Sequence, residues 1–533
     1  MPSRPSGDSP TNSEVAERVQ AILASKELTL YRVSQQSALL YGRSSPHFLP
    51  HNLYYDLRIT SFKPSIHQIF ALSRISGYRV SDWLRVFEFD LEDIVRLQIL
   101  LPSKRTILLE TSLTDLNDWV SWFCNRPSSA PIPATAPLAR LLEPTRPKRI
   151  GSLPNLGRGN FLYAKIGSED AFAFPELLPG SIVRVNPAFQ DPIVPRHKGP
   201  ISDRIFLVEH SKGFCCCRLR HVEGNVIVPV GSQLSYAQVE LRCPLEARVL
   251  GVVDLELRPL LKAEEPDVPH DLAKHWRPER LARGGTLGQL LHRSRMRLNL
   301  TLREAATESG AVSRILGDHR YSISPTSFCE YELRSAPPRD IHKLIALCAL
   351  YGLEFQSLLK AVEITPDEAG IEAMPDYYVS RFPRTRFTSK AVKEDPGRIG
   401  FLESLLDEWR DIPFFLRNSL EWFALSASPP LDDFFWVGGE RDPLHPYLVN
   451  GVLALINRRR KTALHFGSKP WWQQPIYMIL RRDGTYVTAC CGIENGSLII
   501  HPYTQEFHRA EQFRVHDDAE VIGQIVAIAR RLP

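Results

Sequence analysis

Apolar residues recur three and four positions apart in VAERVQAILASKEL, LYRVSQQSA, IHQIFALSRISGY and VSDWLRVF, which predicts helices across residues 13–92. Thr29 stands before the second of these as an N-cap, and the Gly/Ser/Pro stretch YGRSSPHFLP interrupts the pattern ahead of HNLYYDL. The same succession returns across residues 286–364: Thr301 ahead of LREAATESG, then a breaker stretch, ISPTSFCEYEL, IHKLIALCALYG and FQSLLKAV. Residues 155–260 and 431–533 instead carry short runs rich in Val, Ile, Phe and Cys, cut by Pro and Gly, which predicts strands.

The two halves keep register. Ile166–Asn186 aligns with Val437–Asn457 at an offset of 271, placing Gly167 on Gly438, Pro175 on Pro446, Gly180 on Gly451 and Asn186 on Asn457. Arg248-Val-Leu-Gly-Val-Val meets Glu520-Val-Ile-Gly-Gln-Ile at 272, as do Thr29 and Thr301, whereas Ile66-His67 meets Ile341-His342 at 275. A register held over so many residues predicts a helical unit plus a β unit, copied in tandem. The expected boundaries are a disordered leader over 1–12, a helical unit with an extension over 13–125 and a Pro-rich semi-rigid linker over 126–154. A β unit over 155–260, a linker over 261–284 and the second helical unit over 285–364 follow. A linker over 365–399, a helical segment over 400–430 and the second β unit over 431–533 complete the chain.

At 533 residues the chain exceeds one hydrophobic core, and its net charge of +5 is compatible with a polyanionic partner. No apolar run approaches a membrane span, and the polar N-terminus carries no signal-peptide core, so a cytoplasmic protein is expected. Nine cysteines form no metal-ligand spacing. Cys215-Cys216-Cys217 and Cys490-Cys491 fall in strand-like runs, where neighbours point to opposite faces, so buried thiols are expected and no metal or other cofactor. Arg458-Arg459-Arg460-Lys461 reads as a solvated basic loop, and Trp471-Trp472 as an interface or a cover for the sheet.

The helical units resemble the XRE/Cro-type helix-turn-helix family, the second more closely. TLREAATESG is similar to its second helix, ISPTSFCEYE to its recognition helix, and IHKLIALCALYGL to its closing segment. Both copies depart from the family by a longer connection, Ala38–His47 and Ala311–Ser322. The resemblance implies a helix laid in the major groove of double-stranded DNA. With Ile323 and Phe328 inward, the outward set is Ser324, Thr326 and Ser327; with Phe48 and Leu53 inward, it is His51, Asn52 and Tyr55. Asn52 is the base contact expected first, since Asn pairs with adenine. Arg43, Arg314 and Arg320 in the connections would suit phosphates, whereas Glu330 would be repelled by them.

The β units, with Pro175-Glu-Leu-Leu-Pro-Gly180-Ser-Ile-Val-Arg-Val and a later Gly-x-Val, resemble the C-terminal domains of LexA and phage repressors. That family's domain is a Ser/Lys self-protease. Its Ser place holds Phe172 or Pro443 here and its Lys place holds Cys217 or Thr488, and no Lys aligns to activate Ser168. The expected fold class is α+β multidomain: two all-α helix-turn-helix domains alternating with two LexA-like β domains that serve dimerisation and self-association. The expected protein is no enzyme but a DNA-binding transcriptional regulator acting as a single-chain pseudo-dimer. A protein-interaction or ligand-sensing scaffold is the alternative.

Overall fold

The computed structural model describes residues 12–59, 63–89, 91–110, 135–137, 161–187, 203–222, 225–231, 239–260, 279–281, 285–334, 338, 340–365, 368–379, 433–437, 444, 452–464, 473–501 and 510–532. The protein is α+β. Six helices come first: α1 (Asn12–Ser25), α2 (Leu30–Tyr41), α3 (Leu53–Ile59), α4 (Ile66–Ser76), α5 (Val80–Val86) and α6 (Glu92–Leu100). Strands β1 (Ile107–Leu108), β2 (Ala136–Pro137), β3 (Leu162–Lys165), β4 (Ile182–Asn186), β5 (Phe206–His210), β6 (Gly213–Val222), β7 (Val226–Val230), β8 (Leu241–Arg242) and β9 (Ala247–Pro259) follow. Helices return as α7 (Leu287–Arg297), α8 (Leu302–Leu316), α9 (Pro325–Arg334), α10 (Ile341–Tyr351), α11 (Phe355–Ala361) and α12 (Asp376–Val379). The last strands are β10 (Phe434–Val437), β11 (Val452–Asn457), β12 (Ile476–Arg481), β13 (Tyr486–Glu494), β14 (Ser497–His501), β15 (Glu511–Arg514) and β16 (Ala519–Arg531).

The offsets read in the sequence recur in these elements. α2 and α3 begin 272 residues before α8 and α9, α4 and α5 begin 275 before α10 and α11, and β3 and β9 begin 272 before β10 and β16. Elements of like kind then join across the halves. Val19, Leu53, Ile69 and Trp83 share one buried core with Leu291, Phe328, Ile345 and Phe355. The strands share one antiparallel sheet.

The joint in that sheet is β9 against β16. Leu257 faces Ala529, its counterpart 272 residues on, with Arg258 opposite Ile528 and Glu256 opposite Arg530 on either side. A register centred on two equivalent residues is what a two-fold axis imposes on paired antiparallel strands. The hydrogen bonds beyond it obey the same relation: Leu260 N donates to Val526 O at 3.0 Å, and Leu532 N donates to Asp254 O at 3.1 Å.

Gly251 and Gly523 explain another matched pair of positions. Both lie where the last strand bulges against its neighbour. A Cβ at Gly251 would meet the carbonyl oxygen of Asn186 at 2.3 Å, and one at Gly523 that of Asn457 at 2.7 Å. The close approach of β4 to β9, and of β11 to β16, requires glycine at both places.

Alternation along the strands settles the cysteines. Cys215 and Cys217 pack in one core while Cys216 packs in the other. Cys490 and Cys491 divide in the same way.

Two of the three expected linkers depart from expectation in their described residues. Within the Pro-rich stretch, Ala136 and Pro137 pair with Trp436 and Phe435 of β10, so first-half chain completes a second-half edge. Proline, lacking an N–H, suits such an edge. Within 365–399, residues 368–379 strap the first half. Arg79 N donates to Glu372 O, Glu372 N to Gly77 O and Met374 N to the Asp82 carboxylate at 2.9 Å. The first half reciprocates through α6 and the segment after β1. Gln98 Nε2 donates to Cys348 O at 3.2 Å, and the Glu110 carboxylate accepts from Phe355 N at the start of α11. Residues 1–11 of the expected leader, the helical segment 400–430 and Trp471-Trp472 lie outside the described residues.

Candidate nucleic-acid interface

Each half presents a capped helix, a connection and a short helix with an exposed face. Thr29 Oγ1 accepts from Arg32 N at 3.2 Å at the start of α2. Thr301 and Glu304 form a reciprocal capping box on α8, which satisfies two otherwise orphaned N–H groups. α8 runs to Leu316 and stops at Gly317, whose φ of 71° is left-handed. The connections are therefore shorter than expected: Ala38–Tyr41 and Ala311–Leu316 belong to helices.

Two hydrogen bonds fix each connection, and they are equivalent in the two halves. Buried Ser37 Oγ accepts from Leu49 N at 3.1 Å; buried Ser309 Oγ accepts from Ile323 N at 2.8 Å. Gln68 Nε2 donates to Phe48 O at 3.2 Å, and Lys343 Nζ donates to Ser322 O. Sequence reasoning missed all four side chains. Ser37 and Ser309 share the 272 offset, which was the available signal.

The inward set is Leu49, Leu53, Ile323 and Phe328, all fully buried. Phe48, expected inward, is only half-buried, because Leu49 takes the core position. His51 and Asn52 are exposed in the turn before α3, where Asn52 O accepts from Asp56 N, and Tyr55 is exposed on α3 itself. Ser324 is the N-terminal cap of α9: its Oγ accepts from Ser327 N at 3.1 Å and lies 2.9 Å from Ser327 Oγ. Thr326 and Glu330 are exposed on the same helix. Of the serines expected to read bases, both hydroxyls are therefore engaged with each other.

Among the basic residues, Arg43 is exposed after Gly42, and Arg314 is exposed on the last turn of α8 rather than in the connection. Arg320 departs from its expected role as a phosphate contact. Its Nε and Nη2 lie 2.9 and 2.6 Å from the Asp318 carboxylate, an ion pair that occupies the face meant for an anion. Burial works against ionisation of Asp318, but Arg320 overrides it and holds the carboxyl at about 2.

The short helices are anchored differently. In α9, Glu332 receives Arg295 Nε at 2.7 Å and lies 2.9 Å from His292 Nδ1, tying α9 to α7. In the first half, His47 stacks on Tyr41 with ring centroids 4.6 Å apart and meets His67 edge-on at 4.8 Å. Burial, aided by His67, pushes the His47 imidazolium down to about 4.

In the β units, Phe172 and Cys217 pack in one apolar core and Thr488 is fully buried on β13; Pro443 lies outside the described residues. Ser168 N donates to Ser103 O at 2.9 Å. Among the described residues no three His, Cys, Asp or Glu side chains are grouped as a metal site, and no helix is long and apolar enough to cross a membrane.

No family model and no curated protein matches the chain. Among solved structures it is similar to Streptomyces albus HEPD, determined with 2-hydroxyethylphosphonate and Fe(II) bound. The identity is 11%, with 98% of this chain and 92% of that one covered, and the TM-score is 0.15. The expectation that the chain is no enzyme is withdrawn; the similar structure is a substrate-bound Fe(II) protein. A TM-score of 0.15 carries no argument for that protein's fold, metal or reaction here.

Proposed function

We propose that the protein is a sequence-specific, double-stranded-DNA-binding transcriptional regulator in which one chain supplies both halves of a pseudo-dimer. In this reading the helical units are XRE-like helix-turn-helix domains, and the β units are LexA-like domains that hold them together. The observation that carries it is the sheet joint centred on Leu257 and Ala529, because DNA-binding dimers of this kind pair two equivalent halves about a two-fold axis. The paired connections at Ser37 and Ser309 support it, each setting a short helix with an exposed N-terminal end.

Direct readout then falls on Asn52, His51 and Tyr55 in the first half and on Thr326 in the second, with Arg43 and Arg314 on phosphates. Asn52 presents both a donor and an acceptor, as recognition of adenine requires.

A protein-interaction scaffold is the second reading, favoured by Leu39 near the end of α2 and Leu333 near the end of α9, 86% and 79% exposed. Salt separates them. A regulator neutralising phosphates loses affinity for duplex DNA steeply as salt rises, with a log–log slope of about −0.9 per phosphate contact. Binding to DNA that is absent, or flat between low and physiological salt, would select the scaffold.

A further inference from the structure

The joint is symmetric in backbone register but not in charge. Arg258 and Arg530 are equivalent residues on the two central strands; Glu256, however, has Ile528 as its counterpart. The Glu256 carboxylate is fully buried and accepts from Arg258 Nε at 2.8 Å and from Arg530 Nε at 2.6 Å. Both guanidiniums also donate through Nη2 to the carbonyl oxygen of Glu176.

Consider the three ways in which the end strands could pair in this register. Two first-half strands would bring together two Glu256 and two Arg258, a balanced set. Two second-half strands would bury two Arg530 among two Ile528, with no carboxylate from either strand. The unlike pair seen here places one carboxylate between two arginines. A buried guanidinium deprived of its carboxylate is strongly destabilising.

We infer that Glu256 is the residue that fits the two unlike halves to each other, serving Arg258 on its own strand and Arg530 across the axis, and that two chains are thereby barred from pairing through their second halves. This rests on the pseudo-dimer reading and adds what determines the pairing. The occupant of the β16 edge is the first half of the same chain: among the described residues, the carboxylate paired with Arg530 is Glu256 of β9.

The axis makes a sharper demand. Position 528 faces Arg258 as position 256 faces Arg530, so the carboxylate should work equally well from the other side. The test uses the full chain: wild type, Glu256→Ile, Glu256→Gln and the swap Glu256→Ile with Ile528→Glu. Melting midpoint and light-scattering mass are measured for each. Glu256→Ile should lower the midpoint by roughly 5 °C or more, or yield no folded protein. Glu256→Gln should fall between it and wild type. The swap should recover at least half of the loss and remain a monomer. A swap no better than Glu256→Ile, a swap that recovers only as a dimer, or a Glu256→Ile variant as stable as wild type would overturn the inference. No DNA enters these measurements, so their failure is distinguishable from a failure of DNA binding.

Discussion

Ser37 and Ser309 show how much depends on one hydroxyl in each half. Each accepts the N–H of the residue that enters the core just before the short helix. Ser309→Ala would leave Ile323 N buried without that acceptor, a loss of about 1–3 kcal/mol that thermal melting should register. Specific DNA affinity should fall with it, since the hydroxyl sets where α9 begins. His47 carries a pH dependence. Its folded-state pKa of about 4 lies below the ordinary 6.5, so the stability it contributes is complete above pH 6.5 and is lost as pH falls through 4. Asp170 acts in the opposite sense: burial raises it to about 6, so the folded state gains stability as pH falls from 6 toward 3.8. His47→Gln removes one contribution and leaves the other. Its melting midpoint should therefore fall less than that of wild type between pH 7 and pH 4.5; equal falls would show that His47 is not the group responsible.

At the scale of elements, the glycines at the bulges close each half's own strands together, and the reciprocal straps join the halves. Gly523→Ala would drive a methyl group toward the carbonyl of Asn457 and should cost a few kcal/mol, read as a lowered melting midpoint with Gly310→Ala as control, where a Cβ meets nothing within 4 Å. Much of this level was legible from the chain. Thr29 and Thr301 cap helices as polar residues ahead of apolar periods do, and Leu53, Ile323 and Phe328 face inward as their spacing requires. The helix that runs on through Leu316 was less legible, because nothing before Gly317 forces it to stop and the Asn/Gly/Pro signals of a turn are sparse there. The ion pair that occupies Arg320 was invisible for a related reason: only the turn at Asp318–Arg320 brings the two charges together. The strand at Ala136–Pro137 and the strap at Gly370–Met374 were missed because their partners lie hundreds of residues away, and local periodicity carries no trace of them.

At the scale of the whole molecule, one chain holds two related but unlike halves in a fixed arrangement. The exposed ends differ, His51-Asn52 and Tyr55 against Thr326 beside a Ser324–Ser327 pair engaged with itself, and the charges at the joint differ as well. A symmetric homodimer reads a palindrome because its two heads are identical. In the proposed regulator the heads are distinct and their linkage is covalent, so binding of the second would be effectively intramolecular. The single-chain pseudo-dimer is tested by selecting bound sequences from random duplex DNA with the full chain, at several salt concentrations. It predicts one enriched, non-palindromic site with two different half-sites, bound by a monomer with an affinity that falls steeply as salt rises. A palindromic site bound by two chains, or no enrichment over random sequence, would contradict it.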